Sequence, residues 1–279
     1  MSYIVFDIGG TKTRVAVTSD LKELTSVESF KTPGDPKEAI KKLIDTIDTL
    51  TSDSVEGIAG GIRGRLDEDK TGIENDGVLT KWAGLSIVDA LKKKYKCEVF
   101  LENDAAIAAL GEATFGAGQG FEIVAYHTIS TGVGGARIDN GEIDNASVGF
   151  EPGHSILDVD RTVLGEEVEP TFENLVSGTA VGERFKCKAY EIPQSDILWD
   201  ELAGYVAQGL RNTIMYWSPD AIILGGSMII GDPRIEIDPI RKYTVEVLDS
   251  FVETPLITMA KLGDEAGLYG GMAILKKHL

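Results

Sequence analysis

Apolar residues in this chain alternate with polar ones, then shift to a three-four spacing, and partway along the same progression begins again. Alternation predicts strands at Tyr3–Asp7, Thr13–Thr18, Val27–Lys31, Val55–Ala59 and Glu98–Leu101. The three-four spacing predicts helices at Pro36–Thr49, Ile87–Tyr95 and Ala105–Phe115. In the first of these, Ala39, Ile40, Leu43, Ile44 and Ile47 form one stripe for burial. The second round opens with strands at Glu122–Ile129 and Gly134–Asp139, followed by Asn140-Gly141, the residue pair of a tight hairpin turn. Helices follow near Ala180–Lys186, Leu198–Met215 and Ile240–Leu248, and among them lies a buried strand, Ala221–Leu224. A last helix is predicted over Gly267–Lys276. The reading is mixed α/β, with a boundary in the small, glycine-rich stretch near Phe115–Gln119.

Each round contains the same punctuation. The first reads D-I-G-G-T-K-T-R-V, Asp7 to Val15, and the second S-T-G-V-G-G-A-R-I, Ser130 to Ile138. Both follow an apolar run and lead into alternation. Paired glycines let a backbone turn approach a polyphosphate without a Cβ in the way, and Asp7 is placed to hold a hydrated Mg²⁺. The spacing is not that of a Walker A loop. One copy alone reads equally well as a plain hairpin; two copies point to a nucleotide clamped between two related halves.

Three further segments carry chemistry. Glu102-Asn103-Asp104 ends one predicted strand and begins a helix. Asn103 or Asp104 would cap that helix, worth roughly 1 kcal/mol, yet three polar residues exceed what a cap requires. A carboxylate at a strand end is a sound general base for a substrate hydroxyl. In Gly149–His154, His154 lies three residues after Glu151 in a glycine-flanked loop, which reads as a polar pocket wall. His127, inside a strand pattern, reads as an interior histidine, and His278 sits in the tail.

Composition narrows the classes. The 279 residues suffice for one large or two ordinary domains, and 43% hydrophobic with 26% charged residues is ordinary for a globular protein. The formal charge of −18 repels nucleic acid and anionic membranes, without excluding a magnesium-masked nucleotide. Cys97 and Cys187 stand far apart and read as reduced thiols. No apolar run approaches about 18 residues and no signal peptide is recognisable, so a cytoplasmic protein without a membrane span is expected. The acidic stretch Gly165–Glu169 reads as a solvated loop.

Together these segments resemble the ROK family of repressors and sugar kinases, within the actin-like and hexokinase-like ATPase superfamily, over essentially the whole chain. D-I-G-G-T-K-T and S-T-G-V-G-G-A resemble its two phosphate motifs, and L-G-G-S, Leu224 to Ser227, its adenosine-side turn. E-N-D-A-A-I-A-A-L-G-E, Glu102 to Glu112, is similar to its signature. F-E-P-G-H, with Glu151 and His154, resembles its sugar loop, and F-E-N-L-V-S-G, Phe172 to Gly178, the segment that supplies a further sugar-contacting glutamate, Glu173.

The resemblance implies an α/β, two-lobed actin-like ATPase fold of the ribonuclease H-like type. Each lobe would be a mixed sheet with flanking helices, with the active site in the cleft between lobes. The small lobe would span 1–116, completed by a helix over 266–279, and the large lobe 117–265. It implies transfer of the γ-phosphoryl group of ATP to the 6-hydroxyl of a hexose, with Asp104 as base and Asn103, Glu151, His154 and Glu173 on the ring hydroxyls. ATP would be held by Asp7, Gly9, Gly10, Thr11, Lys12, Thr131, Gly132, Gly134, Gly225 and Gly226, with Mg²⁺ near Asp7. A homodimer is expected by the same analogy. Glucose is placed first, with an N-acetylhexosamine or fructose as alternatives; ATP is the default donor, although some relatives accept polyphosphate.

Two non-enzymatic readings compete. A sugar-sensing repressor would need a DNA-binding region ahead of the first motif, and the charge is acidic. A nucleotide-binding scaffold would have no reason to keep Asp104 together with Glu151, His154 and Glu173. The sequence also departs from the family in three places. Arg161 to Phe172 lacks the cysteines of the family's zinc loop, so no structural zinc is expected. Arg63 stands where an Asp is usual. V-L-T-K-W, Val78 to Trp82, lacks an Asn that meets the sugar, leaving Asn75 or Asp76 as replacements near the substrate mouth.

Overall fold

The computed structural model describes residues 1–75, 78–144 and 149–279. The chain forms two compact units, Met1–Thr114 with Asp264–Leu279, and Phe115–Gly263. In the first, strands β1 (Ser2–Ile8), β2 (Lys12–Thr18) and β3 (Ser26–Lys31) lead to helix α1 (Pro36–Leu50), then β4 (Val55–Ile62) and a small ribbon of β5 (Arg65–Leu66) and β6 (Ile73–Asn75). Helix α2 (Ile87–Tyr95), strand β7 (Glu98–Asn103) and helix α3 (Asp104–Phe115) follow. The second unit runs through β8 (Ile123–Ile129), β9 (Val133–Asp139), β10 (Glu142–Ile143), α4 (Phe172–Val176), α5 (Gly178–Phe185) and α6 (Leu198–Trp217). It continues with β11 (Ala221–Gly225), α7 (Ser227–Ile230), α8 (Ile237–Leu248) and β12 (Leu256–Met259). Helix α9 (Ala266–His278) then returns to the first unit, packing on β1 and β4.

The two main sheets repeat one plan. The first has the order β3-β2-β1-β4-β7 and the second β10-β9-β8-β11-β12. In each, the first three strands are antiparallel neighbours and the last three run parallel. Two mixed sheets flanked by helices are the fold that the resemblance implies.

Local chemistry accounts for the element ends. Asp35 accepts from the N–H groups of Lys37 and Glu38 at 3.0 Å each, and Pro36 follows in the first turn, so α1 starts there. Its stripe Ala39, Leu43 and Ile47 is buried against the first sheet's core. Asn140 and Gly141 have φ of 51° and 75°, the positive pair that a two-residue hairpin loop demands. Each sheet has its own core: Ile4, Phe6, Ile58 and Leu43 in the first, Phe172, Leu202, Val206 and Ile222 in the second. Burying each such side chain contributes about 1.5–3 kcal/mol.

Several elements depart from their predicted bounds. β4 continues through Gly60 and Gly61 to Ile62, because β1 and β7 both stay paired with it to that residue. α8 begins at Ile237, since Pro239 in a first turn removes no helix hydrogen bond. The short elements α4, α7, β5, β6, β10 and β12 were not anticipated. Among the described residues no helix is long and apolar enough to cross a membrane.

Candidate active site

In the first unit, the parallel strands β1, β4 and β7 end side by side. Asp7 pairs with Gly61, and Gly61 with Glu102. A Cβ at Gly61 would stand 2.6 Å from Ile107 and 3.5 Å from both Asp7 Oδ1 and Asp104 Cα. Glycine there leaves the space between the two acids open. Asn103 caps α3, its Oδ1 accepting from the Ala105 and Ala106 N–H groups at 3.0 and 3.2 Å, while its Nδ2 donates to Gly64 O at 3.2 Å. Asp104 begins the helix, and its Oδ1 accepts from the Ala105 N–H at 2.9 Å. Glu102 is drawn aside by an ion pair with Lys70.

Arg14 faces Asp7 across the β1–β2 pair, with Nη1 4.0 Å from Oδ2, and its other guanidinium nitrogen bonds Asp264. Burial first, and the Asp104 carboxylate second, push the Asp7 carboxyl from 3.8 up to about 7, against the pull of Arg14. Asp7 and Asp264 share the one guanidinium, and a hydrated divalent cation beside Asp7 would favour its ionised form. Mg²⁺ favours one or two carboxylates with water and phosphate oxygens, so Asp7 fits that role. Among the described residues no group of three or more His, Cys, Asp or Glu is placed to hold a metal ion.

The first glycine turn closes with the Gly9 N–H on Lys12 O at 3.0 Å. Thr32 braces it, donating from Oγ1 to Gly9 O at 2.8 Å and from its N–H to Thr11 O at 2.9 Å. Thr11 and Lys12 are exposed at its tip. A Cβ on Gly10 would meet Val78 at 2.8 Å and Arg63 at 3.5 Å, so two of the three family departures stand over this turn. Asp76 lies outside the described residues, as does the side chain of Asn75.

In the second unit the matching turn is tied down from three sides. The Ser130 N–H donates to Gly132 O at 2.8 Å, the Gly178 N–H to Ser130 O at 2.7 Å, and Ser130 Oγ meets Ser227 Oγ at 3.0 Å. The Val133 N–H donates to Glu173 Oε2 at 2.6 Å. Gly134 is the second residue of β9, and Thr131 is exposed at the tip. Gly225 ends β11, and Gly226, with φ of 85°, packs against the end of β8 at Ile129. The second glycine turn and the Gly225–Gly226 turn are thus neighbours.

Glu173 therefore sits against the glycine turn, while Glu151 and His154 line a cavity of about 320 Å³. Its other walls are Pro152, Ser155 and, from α6, Gly209, Asn212, Thr213, Tyr216 and Trp217. The volume is within the range of small-ligand sites. Behind it, His127 is fully buried, stacks on Trp217 and shares a 2.9 Å hydrogen bond with Thr213 Oγ1. Burial pulls its pKa down to about 4, so it is a neutral interior residue, as the sequence predicts. The Arg161–Phe172 segment is organised by Asp158, whose carboxylate accepts from the Val163 and Leu164 N–H groups at 3.2 and 2.7 Å, and by Arg161 bonding Val168 O. Sequence reasoning had not marked Arg14, Thr32 or Asp158, each a partner of residues distant in the chain or in an unrecognised loop.

Comparison with known proteins decides the family, because the sequence model of the ROK family spans residues 3–278. The chain belongs to the ROK family. Among its relatives, a glucokinase of Thermotoga maritima is 25% identical over 319 aligned residues, covering 100% of this chain and 98% of the relative. A fructokinase of Pediococcus pentosaceus is 27% identical, covering 98% of this chain and 97% of the relative. A solved ROK glucokinase from Streptomyces griseus, in complex with glucose and AMPPNP, matches with a TM-score of 0.81 at 26% identity, over 100% of both chains. As a ROK sugar kinase, the chain carries out ATP-dependent phosphoryl transfer to a hexose hydroxyl.

Proposed function

We propose that the acceptor is the 6-hydroxyl of fructose, ahead of glucose, which reverses the order that the sequence alone favours. The observation that supports the chemistry is the approach of Asp7 and Asp104 across Gly61 at the ends of three parallel strands. The order of sugars is supported by the relatives: the fructokinase is 27% identical and the glucokinase 25%. The glucose bound to the Streptomyces griseus enzyme supports the second reading.

In this proposal Asp104 accepts the proton of the 6-hydroxyl as its oxygen attacks the γ-phosphorus, and the bond to the β–γ bridging oxygen breaks so that ADP leaves with that oxygen. Asn103, Glu151, His154 and Glu173 bond the ring hydroxyls. The backbone of Gly9 to Lys12 and of Thr131 to Gly134 cradles the phosphates, and Gly225 and Gly226 flank the adenosine. Asp7 holds Mg²⁺, which when bound neutralises phosphate charge. Such transfer needs positioning and charge stabilisation more than covalent chemistry from the protein. ADP release measured with fructose, glucose, mannose, allose, N-acetylglucosamine and N-acetylmannosamine, with ATP and polyphosphate in parallel, tests it. Fructose with ATP is expected to give the highest kcat/KM. Glucose ahead by tenfold overturns the sugar order, and no turnover of any sugar overturns the whole assignment.

A further inference from the structure

The second glycine turn holds an acid where a phosphate would go. Among its backbone donors, the Ser130 N–H is engaged by Gly132 O and the Val133 N–H by Glu173 Oε2. Among the described residues none accepts from the Thr131 or Gly132 N–H at the tip, the pair that an anion would use. A Cβ on Gly132 would stand 2.6 Å from the same Glu173 oxygen, so the carboxylate lies directly along this backbone. An anion at the tip would face a like charge at short range in a half-buried site, and would lack the third donor of the row.

We propose that Glu173 is a positioning residue that gates the second phosphate turn. A hexose hydroxyl donating to Glu173 draws the carboxylate off the Val133 N–H, and that donor then becomes available to the nucleotide's phosphates. Sugar and nucleotide thereby bind with positive linkage, each tightening the other by the same factor. The sugar half of this inference rests on the hexose-kinase reading; the nucleotide half does not. Glu173 comes from α4 and the turn from the β8–β9 connection, so both parts of the gate lie in one compact unit.

Calorimetric titration of AMPPNP with Mg²⁺ into the intact protein, with and without saturating fructose or glucose, tests the gate. In the wild type, sugar is expected to lower the AMPPNP Kd five- to twentyfold. Glu173→Gln removes the charge and, because a neutral amide oxygen is a weaker acceptor than a carboxylate, loosens the hold on the Val133 N–H; it is expected to bind AMPPNP about five- to tenfold tighter than wild type without sugar. Its remaining linkage should fall below twofold. Equal or weaker sugar-free binding by Glu173→Gln overturns the gate and leaves Glu173 as a simple brace. Glu173→Ala, checked by its melting curve, should follow Glu173→Gln; if it folds and keeps the wild-type linkage, the gate is also overturned. Absence of sugar turnover strikes the kinase reading alone, because the sugar-free comparison still reads the gate.

Discussion

The two glycine turns share a sheet plan and differ in where their charge comes from. The first carries its acid within the motif: Asp7 stands beside Asp104, with Arg14 opposite and Asp264 beyond. The second carries none of its own and takes Glu173 from a helix 40 residues further along the chain. A repeated backbone is thus surrounded by different side chains in each copy. The first turn is set among Asp7, Asp104 and Asp264; the second is braced by one carboxylate from α4.

The sharpest break in this contrast is Asp104→Asn. It should lower kcat by ~10²- to 10⁴-fold, the usual weight of a general base, while sugar binding measured by calorimetry is retained. Wild-type turnover in this variant would remove the base from the first half. Asp7→Asn probes the same cluster through stability. A carboxyl raised from 3.8 to about 7 binds more protons folded than unfolded between those values, so stability falls as pH rises through that window. Without ligands, the urea midpoint of the variant at pH 8 should exceed that of the wild type by the equivalent of about 4 kcal/mol, and the difference should vanish near pH 4.

The second half should respond with the opposite sign. His127, lowered from 6.5 to about 4, stays neutral when folded and charges on unfolding. Its contribution is complete above pH 6.5 and is lost as pH falls toward 4, by about 3 kcal/mol. His127→Gln should flatten that part of the stability profile, and an unchanged acid limb would count against it. The smallest effect compares the turns directly. A Cβ at Gly132 meets Glu173 at 2.6 Å, whereas one at Gly9 meets Lys12 O at 3.2 Å. Because the Glu173 carboxylate is the end of a flexible side chain and Lys12 O is backbone, Gly132→Ala and Gly9→Ala should differ by less than about 1 kcal/mol in urea unfolding; a much larger loss at Gly132 would show the carboxylate to be fixed in place.

Local signals in the sequence carried much of this architecture. α2 starts and stops where its pattern predicts, because Ser86 accepts from the Asp89 N–H at one end and Lys96 takes a left-handed conformation at the other. The Asn140-Gly141 hairpin and the cap at Asn103 were readable for the same reason: the causes lie within a few residues. β12 was not readable, since four residues gain strand character only by pairing with β11. Nor was α4, whose five residues are too few to show a period. In the site, the residue types of the two turns were legible, but the Arg14–Asp264 contact and the Glu173–Val133 hydrogen bond join residues 250 and 40 positions apart. No local pattern encodes such partners.

Helix α9 has a bearing on how the molecule comes into being. Its second residue, Gly267, lies so close to Asp7 that an added Cβ would be 3.1 Å from the carboxyl carbon, and Asp264 just before it binds Arg14. A ribosome makes β1 long before this helix. The surroundings of Asp7 thus stay unfinished until α9 has been made, and a translation product interrupted before it carries the first motif without the wall that shapes it.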